Sequence, residues 1–211
     1  VAKKILEREK IEVMAYTEEL GGVRAKKMDY SEIEKNDLCC PDGEAAKKMG
    51  EKIEKTGLQG NTLGGIVEIL VRGCPAGLGE PVFDKLEADL AKGLMSIGAV
   101  RGVEVGAGFQ TARMFGSECN DPLVPTGFEK NDAGGILGGI SNGADIRLRV
   151  AVKPIPSIGL EQKTVNHSMR PVSIKIQGRH DVSAIPRINP VCEAMVAIVL
   201  ADHLLRQKAI K

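Results

Sequence analysis

The chain has 211 residues, 43% of them hydrophobic and 27% charged, with a formal net charge of +1. That is the profile of a globular protein able to bury a real core, and its near-neutral balance gives no bulk electrostatic case for nucleic acid or an anionic membrane. Aromatic residues are only 3%, with no tryptophan, which leaves little from which to build a base-stacking platform.

Apolar runs such as 196–201 are too short to span a bilayer, and no secretory leader is legible, so no membrane partner is expected. The chain opens on Val1 already in helical register, which reads as a piece cut from something longer. Five cysteines (Cys39, Cys40, Cys74, Cys119 and Cys192) are odd in number and show no CxxC spacing. They read as reduced thiols of a cytoplasmic protein rather than as a disulfide framework or a zinc site.

Residues 1–9 read as the end of a helix with Ala2, Ile5 and Leu6 on one face, and residues 11–16 as a strand running toward Gly21 and Gly22. Residues 26–42 are polar and irregular. Asp42 is an N-cap for a surface helix over 43–55 that ends at Gly57. Its Lys47, Lys48, Lys52 and Lys55 interleave with Glu44, Glu51 and Glu54 as a solvated face. The β-branched run 66–72 is a strand, and 73–79 a tight loop around Pro75. Pro81 marks a helix start, with Phe83, Leu86, Leu90 and Leu94 at helical spacing through Ser96. Residues 100–105 form the next strand.

Residues 133–143 contain five glycines in eleven positions. Glycine this dense implies positive φ or a backbone closely approached by another segment or a ligand, and the spacing is that of neither a P-loop nor a dinucleotide fingerprint. Ile146, Leu148, Val150 and Val152 alternate with Arg147, Arg149 and Lys153, a half-buried strand whose basic outer face suits either solvent or an anion. Lys153-Pro154-Ile155-Pro156-Ser157 stops that strand, because two prolines remove two donors. Val172, Ile174 and Ile176 alternate in a further strand ending at Gly178, and Asn189-Pro190 caps a helix reaching about Lys208. Without a linker or low-complexity stretch, residues 1–211 read as a single α/β (α+β) domain.

Gly178-Arg179-His180-Asp181 closes a strand, where side chains are held rigidly beside a cleft. Arg179 offers a planar fork for phosphate and Asp181 a base; a local Arg–Asp ion pair finishing the strand is the alternative. Lys153 to Ser157 sets a cation and a hydroxyl on a rigid segment, fit to dock an anion or simply to end the strand. His167 and His203 read as structural or surface residues. No Ser-His-Asp order, HExxH motif or carboxylate cluster is legible, so no metal is expected. The chemistry then belongs to a cofactor or to acids outside this piece.

Taken together, Gly64-Gly-Ile-Val-Glu68, Gly73-Cys-Pro-Ala-Gly-Leu-Gly-Glu-Pro-Val-Phe-Asp84, Leu94-Met-Ser-Ile97, Gly102-Val-Glu-Val105, the 133–143 run, Lys153-Pro-Ile-Pro-Ser157 and Gly178-Arg-His-Asp181 resemble the chorismate synthase family over nearly the whole chain. The family's amino-terminal Gly-Glu-Ser-His-Gly and Gly-Arg-Ser-Ser-Ala-Arg-Glu-Thr motifs have no counterpart here. The resemblance implies a β-α-β sandwich with helices between antiparallel sheets, N-terminally truncated, and a cytoplasmic homotetramer. It implies a lyase that converts 5-enolpyruvylshikimate 3-phosphate to chorismate and phosphate by 1,4-anti elimination. The implied cofactor is reduced FMN, with NADP as an associated nucleotide.

Carried onto this chain, the resemblance assigns flavin contacts to Gly98, Ala99, Gly138, Lys153, Pro154, Ile155, Pro156, Ser157 and Arg179, and proton movement near flavin N5 to Asp181. Arg179 and Asp181 are then the catalytic pair. Gly98 stands where the family often has Asn, and Asp132 where it often has His. The family's catalytic histidines lie outside this sequence, so the chain by itself is expected to be inactive. The rival expectation is a flavin- or phosphate-binding module without catalysis.

Overall fold

The computed structural model describes residues 1–210, as α1 (Ala2–Glu7), β1 (Glu12–Leu20), β2 (Val23–Arg24), α2 (Gly43–Leu58), β3 (Gly65–Arg72), α3 (Leu86–Met95), β4 (Val100–Val105), α4 (Gly116–Cys119), β5 (Leu123–Val124), β6 (Gly127–Phe128), β7 (Ile136–Leu137), β8 (Ile140–Ser141), β9 (Ile146–Val152), β10 (Gln162–Val165), β11 (Pro171–Ile174) and α5 (Ile185–Ile210). A five-stranded sheet orders its strands β2-β1-β3-β9-β4. The pairs β1–β2, β5–β6, β7–β8 and β10–β11 are antiparallel. This mixed helix and antiparallel-sheet architecture is the class expected from the sequence.

Two compact units are resolved: one from Val1–Tyr16, Val67–Ala151 and 188–210, the other from Thr17–Ile66 and Val152–Arg187. Each is assembled from discontinuous stretches, so no linker in the sequence marks them.

In the first unit, burial follows the sequence periods. Ile146, Leu148 and Val150 of β9 are fully buried while Arg147 and Ala151 are exposed. Leu86, Leu90 and Leu94, each one turn apart, form the buried stripe of α3, which packs on β4. Each such side chain contributes about 1.5–3 kcal/mol by leaving water. On α5, Cys192, Val196 and Leu200 repeat the stripe at zero exposure. Polar bonds then fix this helix: Glu193 accepts from the Ala15 N–H at 2.9 Å and from Lys3 at 2.8 Å, and the buried His203 meets Asp89 of α3 at 3.0 Å. Although α5 has the length and apolarity of a membrane span, half of its apolar window is buried in the protein, as in a core helix.

In the second unit, Asp42 organises the entry to α2. Its carboxylate accepts from the Glu44 and Ala45 N–H groups at 3.0 and 3.2 Å, and from those of Lys26 and Lys27 at 2.9 and 3.1 Å. The expected cap therefore also holds the preceding loop. Lys47, Lys48, Lys52 and Lys55 of α2 are exposed, as the charge pattern requires. Residues 60–64 are tied by Thr62 Oγ1 donating to the Ile155 carbonyl at 2.7 Å and by Leu63 N–H donating to Val182 at 2.7 Å.

Three expected elements differ. The α3 helix begins at Leu86 rather than Pro81, because Glu80 and Asp84 pair across a short turn that leaves Phe83 93% exposed. α5 begins at Ile185, so Pro190 lies inside it rather than at its start. Ser183 Oγ accepts from the Ile185 N–H, and Pro186 occupies the first turn, where no N–H is needed. Residues 171–174 pair only with β10, in an exposed hairpin, so their alternation marks no buried face.

The Lys26 N–H, then those of Ala45, Lys27 and Glu44, outweigh the cost of burial and lower Asp42 from 3.8 to about 2. Since folding depresses this pKa, the stabilisation is complete above pH 3.8 and is lost as pH falls toward about 2. Asp42→Ala is expected to lower stability by about 1–2 kcal/mol in urea unfolding at neutral pH. The gap from the parent chain should narrow in acid across that window.

Candidate active site

The glycine-rich stretch resolves into a hairpin with distinct duties along it. β7 and β8 pair through Leu137 and Ile140, with Gly138 and Gly139 at φ +58 and +91 in the turn. Two positive φ values in a two-residue connection are the mirror-image turn that matches strand twist, which is why glycine stands at both places. Their surroundings then diverge. A Cβ on Gly139 would lie 2.6 Å from the Lys85 side chain, whereas one on Gly138 would meet nothing within 4 Å. Gly134 and Gly135 are likewise pressed against the Gly106 N–H and the Asp145 carbonyl. Of the turn pair, only Gly138 offers its backbone to open space.

Ser141, which sequence reasoning left unassigned, ties this hairpin to the 73–79 loop. It is 3% exposed; its Oγ donates to the Pro75 carbonyl at 2.6 Å and accepts from the Leu78 N–H at 2.9 Å. Asn131 holds the other end, donating to Asp145 at 2.7 Å and accepting from Gly135 N–H at 2.8 Å. Asp121 accepts from the Asp132 and Ala133 N–H groups at 2.8 and 2.9 Å. Asp132 itself pairs with Lys130, whose pKa is raised chiefly by that hydrogen bond. A cleft of about 790 Å³ opens here, lined by Phe128, Lys130, Asp132, Asn142, Asp145 and Arg147 among others. The basic outer face expected of β9 is partly neutralised, because Arg149 pairs with Glu104 at 2.8 Å.

Gly98 and Ala99 lie in the turn between α3 and β4. A Cβ on Gly98 would meet nothing within 4 Å, and Ala99 holds φ +75, a left-handed conformation that costs a non-glycine residue about 1–2 kcal/mol. A side-chain-free approach to backbone is thus available there too.

In the second unit the structure brings two expected segments together. Ser157 Oγ lies 3.0 Å from His180 Nδ1, so the Lys153–Ser157 loop abuts the Arg179–Asp181 loop. Arg179 is exposed and Lys153 partly so, and neither has an ion-pair partner among the described residues. Asp181 is paired, but with Arg187 at 2.8 Å rather than with its neighbour Arg179. Sequence reasoning missed both Arg187 and the His180 contact; the only signal was a histidine between two residues already singled out. No group of three or more metal-binding side chains occurs among the described residues.

The described residues thus form a mixed α/β protein in which the loops that carry Lys153 and Arg179 meet through Ser157 and His180. The chain belongs to the chorismate synthase family, whose model matches residues 1–205. The chorismate synthase of Desulfosudis oleivorans is 59% identical over 210 residues, covering 100% of this chain and 59% of that one. That of Syntrophus aciditrophicus is 61% identical over 203 residues, covering 95% and 57%. A crystal structure of a chorismate synthase superposes with a TM-score of 0.81 at 30% identity, covering 98% of this chain and 60% of that one. The chain thus spans a little under two thirds of the length of these relatives.

The two kinds of glycine predict opposite outcomes. Gly79→Ala would place its Cβ 2.1 Å from the Gly139 carbonyl and should destabilise the chain severely in thermal unfolding. Gly138→Ala should cost only about 1–2 kcal/mol, from left-handed backbone alone.

Proposed function

We propose that this chain is part of a lyase that converts 5-enolpyruvylshikimate 3-phosphate to chorismate and phosphate by 1,4-anti elimination, with reduced FMN as cofactor. The observation that carries the reading is the family match over residues 1–205, at up to 61% identity to curated relatives. Each unit taken by itself holds residues that fit a flavin mononucleotide in kind: free cations at Lys153 and Arg179 with a hydroxyl at Ser157 in one, and backbone open to close approach at Gly138 and Gly98 in the other.

When bound, reduced FMN supplies transient electron density as the allylic phosphate departs. The protein's share is electrostatic and positional. Lys153 and Arg179 neutralise anionic charge, Arg179 through its planar fork. Pro154 and Pro156 hold the segment around Ile155 extended, so little freedom is lost on docking. Gly98, Ala99 and Gly138 admit the ring system to backbone contact. Asp181, paired with Arg187, would be the carboxylate that moves a proton near flavin N5.

The same reading takes residues 1–211 as one piece of a single catalytic domain, cytoplasmic, with NADP as an associated nucleotide. Free cysteines support a reducing compartment; burial pushes Cys74 up to about 11 and Cys192 up to about 12, which makes these thiols inert. Exposed Phe83, Phe109, Phe115 and Leu123 are surface that further chain or copies in a homotetramer would cover.

Incubated anaerobically with reduced FMN and substrate, the chain by itself should form no chorismate; saturable turnover would overturn the division of labour proposed here. In the longer protein, Arg179→Ala should weaken FMN binding about tenfold to a hundredfold by fluorescence titration, the range for a hydrogen bond to a charged group. Unchanged affinity would remove Arg179 from the site.

A further inference from the structure

We propose that His180 is a positioning residue that sets the direction of the Ser157 hydroxyl proton, and that docking of a phosphate group on the Lys153–Ser157 loop is coupled to protonation of His180. The inference rests on the reading of this loop as a phosphate site and adds a residue and a linkage to it.

The geometry constrains the imidazole at both nitrogens. Nε2 lies 3.3 Å from the Ile176 carbonyl oxygen, and Nδ1 lies 3.0 Å from Ser157 Oγ. A carbonyl can only accept, so Nε2 must carry the hydrogen. A neutral ring with its hydrogen on Nε2 has a lone pair on Nδ1. The Ser157 hydroxyl then donates to His180, and only its oxygen lone pairs face outward, which repels an oxyanion. When the ring takes up a proton from solvent, Nδ1 becomes a donor to Ser157 Oγ. The hydroxyl hydrogen is released to rotate toward an anion, and the new positive charge lies one hydrogen bond behind it. One proton enters, no heavy atom need move, and the serine changes from donor to His180 into acceptor from it, with its own hydrogen turned to the anion.

The charged groups around the pair are Lys153 at the head of the Ser157 segment and, on the His180 segment, Arg179, Asp181 and its partner Arg187. Gly159 sits at the ring's Cδ2 edge and carries no charge.

The test uses the whole chain and sulfate, an oxyanion that does not itself titrate there. Proton–nitrogen correlation spectra of the imidazoles, assigned with His180→Asn, should show the Nε2–H form of His180 at high pH. Sulfate should favour its protonated form, and the sulfate Kd should rise by up to about tenfold per pH unit once the ring is neutral. In His180→Asn the Kd should be flat with pH. In Ser157→Ala, which keeps the ring, sulfate should no longer move the His180 titration. An Nδ1–H ring, or a sulfate Kd with the same pH dependence in parent and His180→Asn, overturns the proposal. FMN and riboflavin then separate the sources: a shift by FMN and not by riboflavin assigns the flavin's own phosphate. A response to sulfate in the chain, with no FMN binding even in the longer protein, supports the switch and overturns the flavin reading. FMN binding with no linkage to His180 overturns the switch and leaves the flavin reading standing.

Discussion

A methyl group on Gly65 would sit 2.1 Å from the Glu19 carbonyl, one on Gly79 the same distance from that of Gly139, and one on Gly106 the same from that of Asp132. Main chain meets main chain at these points more closely than any side chain allows. The β1–β3 pairing, the seat of the β7–β8 hairpin and the start of the loop after β4 all depend on such approaches. At these positions glycine is therefore a packing requirement. At Gly138 and Gly98, as at several other glycines, the space beyond the missing side chain is open instead.

Polar groups buried around these contacts carry the specificity that glycine cannot. Ser141 satisfies two backbone groups of the 73–79 loop, Asn131 spans the base of the hairpin, and Asp121 collects two N–H groups of its approach. Each of these side chains closes hydrogen bonds that the turns leave open, and removal of any one would strand a backbone group away from water. They fix the hairpin and leave the space beyond Gly138 open.

The candidate site combines rigid and switchable parts. Two prolines and a buried strand end fix Lys153 to Ser157, so its cation and hydroxyl are presented with little freedom. His180 is the adjustable part, since its two nitrogens face partners of different kind. Asp181 is already committed to Arg187 rather than to its neighbour Arg179. The chain belongs to the chorismate synthase family, and it spans 59% of the length of the Desulfosudis oleivorans relative.

Periodicity and capping made much of the fold legible. The alternation in β9, the stripe Leu86, Leu90 and Leu94, and the cap at Asp42 follow from local geometry, which sequence spacing encodes directly. The motif segments also sufficed to place the chain in its family. Other features needed tertiary structure because they depend on which strangers in sequence become neighbours. The start of α5 was set by Ser183 and Pro186, although Asn189-Pro190 carried the stronger local signal. Alternation at Val172 and Ile174 meant no buried face, since burial depends on what lies opposite. Asp181 found Arg187, and Ser157 found His180, across distances in sequence that no spacing rule links. Five glycines in eleven positions announced a closely approached backbone, but only the atoms around each one told packing at Gly134, Gly135 and Gly139 from open space at Gly138. Sequence determines where the chain can bend; what then comes within reach is decided by the fold.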